Sequence, residues 1–145
     1  MIMPSPFDLN EDPIKPVARF PIEATDKNPA TELQRQATFL KMMRTLAPNV
    51  ICYANTNGTH IASFAGRAKA NREGRTIGAS DVTIVWNRGV AWIEFKAGKG
   101  SLSAAQIEFG NRLYEMGHHV ACFRDPISAV DWLRSIGAPV REAKS

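Results

Sequence analysis

Apolar residues recur along this chain with two different periods, and the changes of period mark out its elements. Residues 31–46 carry Leu33, Gln36, Ala37, Leu40 and Met43 on a helical repeat, with Asn28 or Thr31 as cap and Pro48 beyond the end. Pro29 is tolerated in a first helical turn. A short apolar run at 50–54 reads as a strand. Residues 55–78 are polar, with glycines at 58, 66, 74 and 78, and only a short helical pattern at 61–71. Residues 81–86 and 90–96 flank Asn87-Arg88-Gly89, which predicts a hairpin. Ala97-Gly98-Lys99-Gly100 breaks it. Ser103 then starts a helix that Gly117 ends in the position favoured for a left-handed cap, residues 119–123 form a strand, and Asp125-Pro126 opens a last helix stopped at Gly137. The order αβββαβα, without internal repeats, predicts an α/β fold.

The hairpin carries charge where a sheet normally avoids it. Val90, Trp92, Glu94 and Lys96 share one face of the second strand, and Ala91, Ile93 and Phe95 share the other. If Trp86 pairs with Gly89 or Val90, Asp81 falls opposite Glu94 or one residue off it. Two carboxylates facing each other among apolar neighbours are destabilising unless something compensates them. A divalent cation would do so, and Lys96 adds a point charge beside it. The bland alternative is a surface ion pair of Lys96 with Glu94 and an unrelated Asp81.

Charge distribution strengthens the first reading. The chain has 18 basic and 14 acidic residues. Between Gly58 and Gly100, Arg67, Lys69, Arg72, Arg75, Arg88, Lys96 and Lys99 face only Glu73, Asp81 and Glu94, so the whole excess of +4 lies in this stretch. That suits a polyanionic substrate, although a solvated basic loop has the same composition. Phosphodiester hydrolysis needs an activated water and positive charge at the phosphate; two carboxylates holding Mg²⁺, with a lysine nearby, meet both needs.

Beyond the hairpin lie Gly100-Ser101-Leu102-Ser103-Ala104-Ala105-Gln106 and Leu113-Tyr114-Glu115-Met116-Gly117 followed by a strand. Together with Glu32 in the first helix, Gly78-Ala79-Ser80-Asp81 and Ile93-Glu94-Phe95-Lys96, they make residues from about Glu32 to Leu133 resemble the VRR-NUC domain, a branch of the PD-(D/E)XK nuclease superfamily. The resemblance implies a restriction-endonuclease-like core, a mixed β-sheet flanked by helices. It implies a Mg²⁺-dependent DNA endonuclease, with Mn²⁺ able to substitute. Asp81 and Glu94 would be metal ligands, the Phe95 carbonyl a further oxygen ligand, and Lys96 the residue that assists the water. Glu32 would lie beside the metal as a further ligand, and Gln106 at the active site. The family's small stand-alone members look like Holliday-junction resolvases, so branched DNA and a homodimer are expected, since symmetric cutting of two strands needs two sites. Ser80 stands where the superfamily has proline, which affects the strand entry more than the chemistry.

Competing readings exist at several positions. Ser103-x-x-Gln106 is also a capping box, and Glu32 also suits the helix dipole in a first turn. Asn55 and Asn57 suit the shaping of a turn at Asn57-Gly58. Arg67, Lys69, Arg72, Arg75, Lys99, Asn55 and Ser103 are the candidate DNA contacts. Trp86, Trp92, Phe109 and Tyr114 read as core rather than base-stacking surfaces. Cys52 and Cys122, in apolar strands, read as reduced thiols, and His60, His118 and His119 lack zinc-site spacing. Six of the nine prolines fall in residues 1–29, which predicts an extended arm at 1–30, a nuclease domain at 31–137 and a tail at 138–145. With neither a membrane-length apolar run nor a recognisable signal peptide, the expectation is the cytoplasm, or the host cytoplasm for a viral chain. A non-catalytic DNA-binding module, or a nuclease of the same superfamily acting on other DNA, such as an exonuclease, is the alternative function.

Overall fold

The computed structural model describes residues 14–55 and 78–143 of the chain. The proposed DNA contacts Arg67, Lys69, Arg72 and Arg75, the turn at Asn57 and the helix expected at 61–71 lie outside the described residues. Those described form an α/β fold in the expected order: α1 (Glu32–Leu46), β1 (Ile51–Ala54), β2 (Val82–Trp86), β3 (Gly89–Phe95), α2 (Ala104–Glu115), β4 (His119–Phe123) and α3 (Pro126–Ser135). The four strands make one mixed sheet in the order β1-β2-β3-β4; the first two pairings are antiparallel, and β3 lies parallel to β4 across the α2 crossover.

The hairpin register is set by a two-residue turn. Trp86 pairs with Gly89, and Arg88 takes a positive φ of 70°. The Trp86 indole lies against Gly89 so closely that a Cβ there would sit 2.1 Å from its ring, so a larger residue would have to displace the indole. Counting from this pair, Val82 meets Ile93, and Asp81 lies opposite Glu94 at the entry to β2. The strand ends at Phe95, one residue before the expected Lys96, although the Lys96 amide still donates to the Phe123 carbonyl at 3.0 Å.

The sheet has two unequal faces. Val82, Ile84, Ala91, Ile93, Phe95 and Ala121 pack on α1 and α3 through Phe39, Met43, Val130 and Leu133, with the Phe39 and Phe95 rings 5.2 Å apart. Among the described residues the opposite face buries the apolar side chains of Phe20, Leu102, Ile107, Val120 and Cys122, beneath α2 and the arm. Among the described residues, fifteen buried in the first cluster against five in the second, at ~1.5–3 kcal/mol for each large apolar side chain, put most of their hydrophobic stabilisation on the α1/α3 side. Glu94 belongs to the poorer face. Cys52 and Cys122 are free thiols on opposite faces of the sheet, and burial pushes both up to about 12.

Two sequence expectations are corrected. The buried stripe of α1 is Arg35, Phe39 and Met43, not the line through Leu33 and Ala37; Leu33 is 73% exposed. The apolar period was blurred because the stripe contains an arginine, buried since all five of its N–H groups find acceptors: Asp26 Oδ1 and Oδ2 and the carbonyls of Asn28, Ala30 and Arg124. Tyr114 is 48% exposed rather than core, because α2 turns its Ile107 and Gly110 side to the sheet. Trp86 and Trp92 are half-buried against the two clusters, and Phe109 is half-buried.

Residues 14–30 lie across their own domain. Phe20 inserts against Gly110, where a Cβ would fall 2.3 Å from its ring. Ile22 then bridges Cys122 in parallel, with the Cys122 amide donating to Pro21 and its carbonyl accepting from Glu23. At the other end, Ala138 and Val140 join the main core, and the Arg141 amide donates to the Leu46 carbonyl at 2.8 Å, satisfying an acceptor at the end of α1.

Candidate active site

Asp81, Glu94, Lys96, Gln106 and Glu32 come together where the open end of the β2-β3 hairpin meets the first turns of α1 and α2. Each carboxylate of the facing pair bonds the other residue's strand. Glu94 Oε2 accepts from the Asp81 amide at 3.1 Å, and Asp81 Oδ2 accepts from the Phe95 amide at 2.8 Å. Because N–H and C=O of one strand residue leave by the same edge, the Phe95 carbonyl also faces the Asp81 side.

Gln106 both caps its helix and bonds a buried carboxylate. Its Oε1 accepts from the Ser103 amide at 2.8 Å while Ser103 Oγ accepts from the Gln106 amide, which completes the capping box. Its Nε2 donates to Glu94 Oε1 at 2.6 Å. The amide's two ends thus tie the start of α2 to the buried carboxylate. Gly78 holds this helix end close from the other side: with φ 84°, its backbone approaches Ala105 so nearly that a Cβ would lie 2.5 Å from the Ala105 carbonyl.

Glu32 is not drawn into a three-carboxylate cluster with Asp81 and Glu94. It sits in the first turn of α1, where Thr31 and Gln34 already supply the cap, and its Oε1 lies 3.8 Å from Lys96 Nζ. The Lys96 side chain is only 12% exposed, so its ammonium is held at the site rather than spread into solvent. Gly100 closes the rim: a Cβ there would approach Glu32 Oε1 at 3.8 Å and Lys96 Cδ at 3.9 Å.

The electrostatics follow from burial without full compensation. Glu94 is 5% exposed, and desolvation first, then the Asp81 charge, pushes its carboxyl well above the usual range; Lys96 opposes them. Asp81 is raised too, chiefly by desolvation, against the opposing hydrogen bond from the Phe95 amide. Both carboxyls therefore resist ionisation more than a carboxyl in water, Glu94 with the Asp81 charge added to its burial.

Among the described residues no three His, Cys, Asp or Glu side chains lie close enough to hold a metal ion by themselves. Asp81 and Glu94 would therefore need oxygen from outside that group. The donor set fits a hard cation on this footing: each bonded carboxylate oxygen keeps a second lone pair, the Phe95 carbonyl faces the same side, and Mg²⁺ keeps several waters. Added positive charge would also oppose the desolvation that raises both carboxyls and the Asp81 charge that raises Glu94 further.

The remaining expected contacts differ in availability. Lys99 is exposed, and Ser103 Oγ serves the helix cap. Asn55 directs both amide hydrogens inward, to the Ser80 carbonyl at 2.7 Å and Thr83 Oγ1 at 3.0 Å, bracing the entry to β2. Ser80, at the position where proline was expected, is buried, and its carbonyl is the one Asn55 holds.

Sequence reasoning missed Arg124. It is 4% exposed, and its guanidinium donates to the carbonyls of Glu23, Gly98 and Gly100, fixing the turn that follows Lys96. The only signal was a basic residue directly after an apolar strand. Comparisons with protein-family models, curated proteins and solved structures found no match for this chain.

Proposed function

We propose that this chain is a divalent-metal-dependent DNA nuclease with a restriction-endonuclease-like, VRR-NUC-type core. The observation that carries the reading is the bond from Gln106 Nε2 to Glu94 Oε1, which joins the Gly-x-Leu-Ser-x-x-Gln segment to the Asp81–Glu94 pair in one pocket with Lys96. A purely structural glutamine would need only the capping bonds.

In this proposal Asp81, Glu94 and the Phe95 carbonyl hold Mg²⁺ or Mn²⁺, with Glu32 at the rim. When bound, the cation supplies positive charge against the phosphate and helps a water ionise. Lys96 keeps an ammonium at the same place to bind a phosphate oxygen or orient the attacking water. Gln106 holds Glu94 in one orientation, so the carboxylate does not have to reorganise when substrate arrives. Glu32, 3.8 Å from Lys96, helps hold the lysine side chain at the site. Lys99 on the exposed turn supplies a further phosphate contact.

The substrate proposed is branched DNA, cut by a homodimer so that two sites act on two strands. Purified chain incubated with four-way junctions, flaps, linear duplex and single strands, with Mg²⁺, Mn²⁺ or EDTA, tests this. Metal-dependent cutting of the junction, absent in EDTA and lost in Lys96→Ala, is the expected result. Cutting that survives EDTA overturns the mechanism, and salt-sensitive binding without any cutting leaves a DNA-binding module.

A further inference from the structure

The N-terminal arm runs alongside α2 in a course set by specific contacts. The Arg19 amide donates to Asn111 Oδ1 at 2.8 Å, Asn111 Nδ2 donates back to the Val17 carbonyl at 2.9 Å, and Phe20 fills the space that Gly110 leaves. This anchoring delivers Lys15 to the opposite end of the helix. There its Nζ donates to the Leu102 carbonyl at 3.1 Å and reaches Ser101 Oγ at 3.4 Å.

Three features make this more than a tether. Both acceptors are neutral, so neither offsets the positive charge, and a third N–H is left over. Among the described residues no carboxylate pairs with Lys15, whereas Arg19, four residues on, is neutralised by Glu115 at 3.0 Å. Its location also matters: Ser101 follows Gly100, which borders Glu32 and Lys96, and precedes the Ser103–Gln106 turn that holds Glu94. Exposed Lys99 belongs to the same turn, and Arg124 fixes that turn through the Gly98 and Gly100 carbonyls.

We propose that Lys15, together with Ser101 and Lys99, forms a phosphate-binding subsite beside the carboxylate pair, which takes a backbone phosphate of the nucleic-acid strand flanking the one that is cut. The proposal rests on the nuclease reading and gives the arm a part in substrate binding. A single well-placed lysine contributes one phosphate contact, which changes the salt dependence of binding by about 0.9 in log–log slope on duplex DNA.

The test uses the full chain carrying Glu94→Gln, so that nothing is cut, and a fluorescein-labelled DNA duplex titrated at several NaCl concentrations. Adding Lys15→Ala is expected to weaken binding several-fold at low salt and reduce the slope by about 0.9, while Lys15→Arg keeps both near the parent values. Lys41→Ala, on the exposed side of α1, is expected to change neither. Thermal melts matching the parent show that the exposed substitution leaves the fold intact. If Lys15→Ala and Lys41→Ala bind alike on a parent that does bind, the subsite is overturned and the nuclease reading stands. If the parent binds no DNA, both fall. A Lys15-dependent slope in a chain whose wild type never cuts DNA keeps the subsite and overturns the nuclease.

Discussion

Asp26 and the Asp81–Glu94 pair are acids held against well-ordered protein, yet their surroundings act on them in opposite directions. Asp26 receives both arms of the buried Arg35 guanidinium, at 2.7 and 3.1 Å, and this hydrogen bonding holds its carboxyl below the usual range. Asp81 and Glu94 receive backbone and amide donors, yet desolvation raises both, and the Glu32 charge adds to it at Asp81 as the Asp81 charge does at Glu94. Arg35 has an acceptor for every N–H; the facing carboxylates share Lys96 with Glu32. One arrangement is an anchor for the arm and α1. The other keeps an electrostatic conflict that folding alone would not favour, and such unresolved tension is characteristic of sites that act on something.

Substitutions should separate the two clusters most strongly in activity. Lys96→Ala is expected to lower metal-dependent DNA cleavage by roughly 10²- to 10⁴-fold while leaving the melting temperature nearly unchanged, measured by product formation on labelled junctions and by a thermal melt. Arg35→Ala should do the reverse in kind: removing a buried, fully bonded guanidinium should lower Tm by roughly 10 °C, with cleavage falling only as the folded fraction falls.

The pH dependence distinguishes them next. Asp26, with a lowered folded pKa, contributes stability that is present above its unfolded value and lost in acid. Asp81 and Glu94, with raised folded pKa values, contribute stability that is complete below their unfolded values and lost as pH rises through the folded ones. In EDTA, Tm should therefore decline from about pH 5 upward, and Glu94→Gln should flatten that decline. Mg²⁺ should raise Tm most at the alkaline end, where it competes with the fewest protons.

The smallest contrast lies within α2. Ser103→Ala removes the cap acceptor alone and should cost about 1 kcal/mol with little change in cleavage. Gln106→Ala removes both the cap bond and the bond to Glu94, so it should cost a similar amount of stability and also slow cleavage by roughly tenfold. Equal cleavage in the two variants would reduce Gln106 to a capping residue.

These differences also show what was legible in the sequence. Hairpin register could be narrowed to two choices from Trp86 and Gly89 because a tight turn is a local device, and the contact between them selects the pairing. Caps at Thr31, Ser103 and Asp125 were equally local. Gln106 defeated a choice between two roles because both ends of one amide are used at once. The arm's path was not legible, since Phe20 meets Gly110 and Lys15 meets Leu102 across most of the chain length. Arg35 misled the helix pattern because its acceptors come from the non-helical residues 26–30 just before α1 and from distant Arg124, neither of which a helical period records. Residues whose burial depends on distant partners leave no periodic trace.

The central claim, that the facing carboxylates are built to receive a divalent cation, is tested most directly by calorimetric titration of Mn²⁺ into the full chain near pH 7 in two buffers of different ionisation enthalpy. Saturable binding with release of protons, both lost in Asp81→Asn, is the predicted result. Absence of binding, or binding that Asp81→Asn leaves unchanged, would contradict it.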